Sequence, residues 1–391
     1  MKHTAPQHMK SRFAALAAGV AVAICAIVAV FLLFPAQSQV RDGVEYGYVY
    51  SGAKSSSVDF VEAAMGDDSL AVFGSSELST PKKTVPQVPA GVFGESDYGL
   101  QLMLIGEAFD QSLWHAIALG AYDTAGLPQD KAVIIVTPGW FADGGQDAET
   151  FKTRFSFSLY QRFCQNPEIP ASAREYVRAR LEESGVDATQ LDAAEPSLPQ
   201  DYLNGAAFGA LDDLKLRQGL LEVRGKGVER VATGKPATPD FEALRAEAEK
   251  MAEGMTTTND WGLEDTFYTE QLEPAFADLA DSRSDETYAD TPEYDDLSCL
   301  LDIADACGIQ TLVVLAPEMG PYYDYIGISK DVRAACYDRV RGIVAAHNGV
   351  KLADFSDREY EKHFLFDIVH FGWTGWIDVE QSIYEFAKGG A

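Results

Sequence analysis

Two short fragments of the chain hold the residue types needed for acyl chemistry. The first is Ala71-Val72-Phe73-Gly74-Ser75-Ser76-Glu77-Leu78, an apolar run closed by glycine, two serines and an acid. The second is Phe364-Leu365-Phe366-Asp367-Ile368-Val369-His370-Phe371-Gly372-Trp373, with an acid and a histidine three residues apart. A serine hydroxyl is a weak nucleophile until a neighbouring base takes its proton. An imidazole is such a base, and a carboxylate beside it fixes the tautomer and orientation of the ring. Ser76 is therefore the candidate nucleophile, with Ser75 as its rival. His370 is the candidate base and Asp367 its orienter. Each has an ordinary alternative: Gly-Ser-Ser is common turn chemistry, and Asp-x-x-His also describes a surface acid beside a core-edge histidine. His115 and His347 fall in helical patterns and His363 in a more polar setting, whereas His370 sits in an apolar, Gly/Trp-rich turn. The serine fragment is not the Gly-x-Ser-x-Gly elbow, because Leu78 stands where the last glycine would be.

These fragments need elements that bring them together. Leu70–Phe73 reads as a first buried strand and Leu100–Ile105 as a second, ending at Gly106. Phe109–Tyr122 follows as a helix, Ala132–Val136 as a third strand, Gln310–Leu315 as a fourth and Val350–Asp354 as a fifth. Helices are expected at Tyr294–Cys307, Asp331–His347 and Trp373–Ala387. Short β-branched runs alternating with helices predict a five-stranded parallel sheet covered on both faces, a flavodoxin-like three-layer α/β/α domain. Ligand sites in such sheets lie at the carboxyl ends of the strands. Ser76, Gly106, Gly139 and Trp140 all fall there, and Gly106, Gln111 and Trp140 are candidates to line the site. From about 148 to 292 the pattern changes to successive helices, among them Ala171–Glu183, Tyr202–Glu222, Phe241–Met255 and Leu263–Leu279. That stretch is expected to be a helical insertion in a domain running from 69 to 391.

The amino terminus stands apart. Lys2, Lys10 and Arg12 precede an uncharged run from Phe13 to Phe34. Those residues would reach roughly 33 Å as a helix, enough to cross a bilayer core. Basic residues ahead of the span predict residues 1–12 in the cytoplasm and the remainder outside, with 35–68 as a polar linker. A cleaved signal peptide is the alternative, but signal cores are usually shorter. The chain has a formal net charge of −29, and beyond the span 28 Lys and Arg face 60 Asp and Glu. Bulk attraction to nucleic acid or another polyanion is thereby excluded. Cys164, Cys299, Cys307 and Cys336 show neither CxxC nor Cys/His metal spacing and are expected to be buried free thiols. Phosphate loops and dinucleotide fingerprints are absent, so neither metal nor cofactor is expected.

With these motifs in hand the chain resembles the DltD family, the membrane-anchored D-alanyl transfer proteins of lipoteichoic acid D-alanylation in Gram-positive bacteria. The resemblance rests on Phe73-Gly74-Ser75-Ser76-Glu77-Leu78, Thr137-Pro138-Gly139-Trp140-Phe141, the stretch from Ala316-Pro317-Glu318-Met319-Gly320 through Tyr325 and Gly327, and Asp367 through Trp376. It implies an SGNH-hydrolase-like fold with Ser76, His370 and Asp367 as nucleophile, base and orienter. It also implies acyl transfer to teichoic acid hydroxyls outside the cell, served by a membrane O-acyltransferase partner, DltB. A thioesterase role toward the D-alanyl carrier protein has been proposed for the family, although the carrier is cytoplasmic. Where the family usually has Gln, this chain has Gly139, which leaves backbone N–H groups or Gln111 to hold an oxyanion. Pro317-Glu318-Met319-Gly320 likewise departs from the more frequent Pro-Val-Asn-Gly. An esterase or O-acetyltransferase acting on wall glycans, and a scaffold without catalysis, are the competing functions.

Overall fold

The computed structural model describes residues 5–389; Lys2 and the rest of 1–4 lie outside the described residues, as do the last two positions. Five parallel strands form one sheet: β1 (Ser69–Phe73), β2 (Gln101–Ile105), β3 (Lys131–Val136), β4 (Gln310–Leu315) and β5 (Val350–Asp354). Their spatial order is β2-β1-β3-β4-β5, all pairs parallel. This is the flavodoxin-like order, whose direction of winding reverses between β1 and β3. The carboxyl end of β1, where Ser76 lies, is thus beside the crevice that the topology opens.

The apolar runs read as strands are buried because both faces of the sheet are covered. Leu70–Phe73 and Ala132–Val136 are almost wholly inaccessible, whereas the edge strand β5 stays half exposed. Helix α2 (Ser112–Asp123) packs on α7 (Glu293–Ala306), which packs on α8 (Lys330–Ala346). The C-terminal α9 (Trp373–Ala387) packs on α6 (Phe241–Glu253). Right-handed crossovers place the first group on one face and α9 on the other, giving three layers. At the amino terminus α1 (Ala5–Leu33) contains a stretch, Ser11–Leu33, long and apolar enough to cross a membrane.

Several boundaries differ from the sequence expectation, each for a local reason. Helix α2 begins at Ser112 rather than Phe109, since Phe109 adopts φ +72° and Gln111 is extended at the cap. The single helix expected over Leu263–Leu279 is broken into short turns around Pro274, which cannot donate to the helical ladder. The 148–292 stretch contains α4 (Ala171–Glu183), α5 (Pro199–Lys226) and α6, as anticipated, and α3 (Phe157–Gln165), which the sequence expectation does not include. It also contributes Val228–Glu229, paired antiparallel with Val44–Glu45. That pairing belongs to the largest difference. Residues 35–68, expected as a polar linker, fold onto the sheet: Tyr46, Phe60 and Val61 are buried, and Tyr46 stacks edge-on to Phe60. Lys54 is buried too, donating to the carbonyls of Gly47 (2.9 Å) and Leu104, and burial lowers its pKa to about 7.

A buried polar network locks the β4 end to the segment before the last helix. The Arg333 guanidinium, fully inaccessible, donates to both Glu359 carboxylate oxygens (2.7 and 3.1 Å), to Asp324 (2.9 Å) and to the Ile328 carbonyl (2.6 Å). Tyr337 donates its hydroxyl proton to Glu359 and accepts the Glu318 N–H. Removing one member of a buried ion pair strands the other charge. Arg333→Ala should therefore lower unfolding free energy by about 3–5 kcal/mol, measured by chemical denaturation, with a smaller loss for Asp324→Asn, whose carboxylate is half exposed.

Candidate active site

The nucleophile turn is set by close backbone packing. Strand β1 ends at Phe73, and the Gly74 N–H continues the ladder onto the Ile105 carbonyl (3.0 Å). Gly106 follows with φ +129°, and a Cβ there would overlap the Gly74 carbonyl oxygen. Only glycine permits that approach. The same carbonyl accepts a hydrogen bond from His115 Nε2 (3.1 Å) on α2. Burial lowers the His115 pKa to about 4, against the opposing pull of that carbonyl, so its ring is neutral and serves as a fixed prop. Trp140 is buried with its ring 5.3 Å from that of His115. Gly106 and Trp140 thus stand behind the turn, holding its backbone.

The choice between the two serines is made by the backbone. Ser75 is buried, its N–H donates to the Glu77 carboxylate (2.7 Å), and its hydroxyl turns toward the Glu107 carbonyl (3.4 Å). Ser76 opens a short 3-10 turn, Ser76–Ser79, and its Oγ lies 2.8 Å from His370 Nε2. Glu77, from sequence only an acid in the motif, folds back under the turn. Burial raises its carboxyl pKa, partly offset by hydrogen bonds from Ser75 N–H and its own N–H and by the nearby imidazole.

His370 arrives from the far end of the chain on a loop clamped at several points. Leu365 bridges Phe371, Phe366 N–H donates to the His370 carbonyl (3.0 Å), and Gly372 N–H to the Phe364 carbonyl (2.7 Å). The Met319 N–H at the β4 end donates to the Ile368 carbonyl (3.2 Å), and Gly320 N–H to the Glu359 carbonyl (2.8 Å). The Pro317-Glu318-Met319-Gly320 stretch thereby couples the Arg333 network to the histidine loop. The Phe366 ring stacks on the imidazole at 5.9 Å. Asp367 is buried and makes three bonds into its own turn: one oxygen accepts from the N–H groups of Val369 (2.9 Å) and His370 (2.7 Å), the other lies 2.6 Å from His370 Nδ1.

That last contact fixes the tautomer. With Nδ1–H donating to Asp367, Nε2 is left bare to accept the Ser76 proton. Burial of the ring pushes its pKa down. The Asp367 hydrogen bond and the charges of Asp367 and Glu77 outweigh this, and the net shift is upward. Ser76, His370 and Asp367 therefore form one continuous chain of hydrogen bonds. Gln111 and Gly139 make no hydrogen bond to it. Gln111 sits at the α2 cap with its buried Oε1 unpartnered, and Gly139 lies in an exposed turn after β3. A Cβ at Gly139 would meet only Thr137 Oγ1, at 3.8 Å, so the turn has room for a side chain. Two residues essential to this geometry escape a reading of the sequence: His115, hidden in an apolar helical pattern, and Ser55, whose Oγ accepts the Gly106 N–H (2.9 Å) from a stretch that reads as linker.

Comparison with known proteins agrees with the motifs. A family profile described as DltD protein matches residues 48–388. Protein DltD of Bacillus subtilis (strain 168) is 29% identical over 332 residues, covering 82% of this chain and 83% of its own. Protein DltD of Staphylococcus aureus is 29% identical over 327 residues, with 81% of each chain covered, and that of Lacticaseibacillus rhamnosus is 24% identical over 338 residues, with 83% and 79% covered. A match along nearly the whole folded part, by a chain with this fold and this turn geometry, means that the protein belongs to the DltD family.

Proposed function

We propose that the protein is a membrane-anchored acyltransferase that moves a D-alanyl group onto hydroxyls of a teichoic acid through an alanyl ester on Ser76. The observation that carries this reading is the hydrogen-bonded chain Ser76 Oγ to His370 Nε2 (2.8 Å) and His370 Nδ1 to Asp367 (2.6 Å). In the first half-reaction Ser76 Oγ attacks the carbonyl carbon of an activated alanyl ester or thioester, and its proton passes to His370 Nε2. The tetrahedral intermediate places negative charge on the former carbonyl oxygen. The Ser76 N–H, at the first position of its 3-10 turn and so unused by that turn, is the backbone donor for it. Collapse expels the leaving group, which takes the proton from the imidazolium. In the second half an acceptor hydroxyl gives its proton to His370 and its oxygen attacks the alanyl ester; collapse expels Ser76 Oγ, which takes the proton back from the imidazolium.

The anchor reading puts this chemistry outside the cell. Basic residues precede the span, so the amino terminus stays in the cytoplasm and the sheet lies on the outer side. The alanyl donor is then presented by a membrane partner, the O-acyltransferase DltB, rather than by the cytoplasmic carrier protein. Teichoic acid is the acceptor.

Ser76→Ala should lower D-alanyl ester content in cells, and transfer by the purified full chain should fall by roughly 10³- to 10⁶-fold. Unchanged ester content would leave the scaffold reading, while release of acetyl but not alanyl groups from wall polymers would favour the glycan esterase. Mass spectrometry of acid-quenched protein should find the peptide containing Ser76 heavier by one alanyl group. The pH profile follows from the histidine. The base must be neutral, and its folded pKa lies above the ordinary value. The acidic limb of kcat/KM should therefore fall at a pH above that of a free histidine, about 6.5. Asp367→Asn should move that limb downward and reduce the plateau.

A further inference from the structure

Helix α5 carries apolar residues on its exposed side as well as on its buried one. Tyr202, Leu203, Ala206, Ala207, Ala210, Leu211 and Leu214 follow the helical spacing of a single face, and all are exposed. Leu203 is 66% accessible and Leu211 67%. Of the acids in this stretch, Asp212 lies on the opposite side and Asp213 at the edge of the face, and both are held by partners. Asp212 accepts from Ser156 Oγ (2.8 Å) and the Ser158 N–H (2.9 Å), and Asp213 pairs with Arg217 at 2.7 Å. Inner positions such as Gly205, Leu220 and Val223 meet the rest of the fold. A contiguous uncharged stripe of this kind marks a surface that something covers.

What lies next to the stripe identifies the occupant. Arg217 donates to the carbonyls of Phe31 and Phe34 (2.8 Å each), the last turn of the candidate membrane span, and lies over the Phe31 ring at 4.6 Å. Helix α5 is therefore fastened at the point where α1 ends. From there it runs ~22 Å back to Tyr202 at about 1.5 Å per residue. The seam from 34 to 41 follows the other half of α5, where Arg41 reaches the Arg224 carbonyl (3.1 Å). We propose that residues 199–214 lie in the membrane–water interface beside the anchor, with the Tyr202–Leu214 face sunk to the boundary of headgroups and acyl chains. Amphipathic helices bind this way, and a tyrosine ring suits that depth. The partner is the lipid bilayer itself. The proposal rests on Ser11–Leu33 being the membrane span. At a formal charge of −29 the chain is repelled by anionic headgroups, so the contact is apolar in origin and is not weakened by salt.

The test uses the full chain with Ala207→Cys labelled by a nitrobenzoxadiazole dye, reconstituted alone in phosphatidylcholine–phosphatidylglycerol vesicles. Asp331→Cys, at the exposed start of α8, is the reference, and the unsubstituted chain gives the background from the native cysteines. Lipids carrying a spin label high on the acyl chain should quench the residue-207 label severalfold more than the residue-331 label, and no less at high salt than at low. Leu203→Glu with Leu211→Glu should abolish the difference without shifting the unfolding midpoint, since both side chains are exposed. Equal quenching at the two positions overturns the proposal. So does a residue-207 label that is shielded from aqueous iodide yet untouched by the lipid quencher, because a protein would then occupy the face. The readout involves no turnover: Ser76→Ala should leave it unchanged, so failure of the transferase reading and failure of this one are separately visible.

Discussion

The imidazole of His370 ties the two ends of the folded chain together, and the rest of the architecture serves to put it there. Its ring must be within hydrogen-bond reach of a hydroxyl that belongs to a segment 294 positions earlier. A shift of an ångström would break that contact. The tolerance is met from both sides by backbone rather than by long side chains. On one side, the Gly74 carbonyl is trapped between Gly106 and His115. On the other, a short loop is stitched by its own amides and by the end of β4. Behind it the Arg333–Glu359–Tyr337 network removes the remaining freedom. Such a network is costly to assemble in a low-dielectric interior, and it holds only with every charge partnered.

The same interior alters how the acidic composition should be understood. Burial raises the Glu318 carboxyl pKa to about 8, assisted by the Glu359 charge and resisted by Tyr288 and Arg333. Asp110 and Glu380 are driven well above the usual range by burial, the latter with both oxygens unpartnered. Burial thus favours the uncharged form of each of these carboxyls, which works against the negative charge of the formal count. What remains at the surface keeps polyanions off by default, and any polymer groove must work against it.

Much of this is readable in the chain. Four of the five strands announce themselves because a parallel sheet buried on both faces needs uninterrupted apolar runs, and each of the four is followed within two residues by glycine or proline; the edge strand β5 has neither mark. Those ends place Ser76, Gly106 and Gly139 at one rim. The Asp367–His370 spacing is local and survives without a fold. Ser75 and Ser76 are not separable from sequence, because the choice lies in one turn's dihedral angles and in a buried Glu77. His115 looks like any helical core residue; its role follows from which carbonyl it meets. The exposed face of α5 leaves no periodic signal, since apolar residues occupy both sides of the helix and cancel. Polarity misleads for residues 35–68: Lys54, Ser55 and Ser57 are buried with the sheet, their polar atoms largely matched to backbone groups that composition does not reveal.

That last feature fixes where the Ser76 rim can reach. An unfolded lead of about 34 residues would form a leash spanning roughly 30 Å on average, letting the catalytic head roam. The lead is instead packed against the folded domain, on α5 and the Val58–Ala64 helix, within a few residues of Phe34, so it has no slack. The rim bearing Ser76 stands at one fixed height above the end of the helix that roots it. Under the proposed transfer, a donor and an acceptor would both have to be brought to that height, and the length of polymer that can fold back to it would become a ruler for where along the strand an ester is placed.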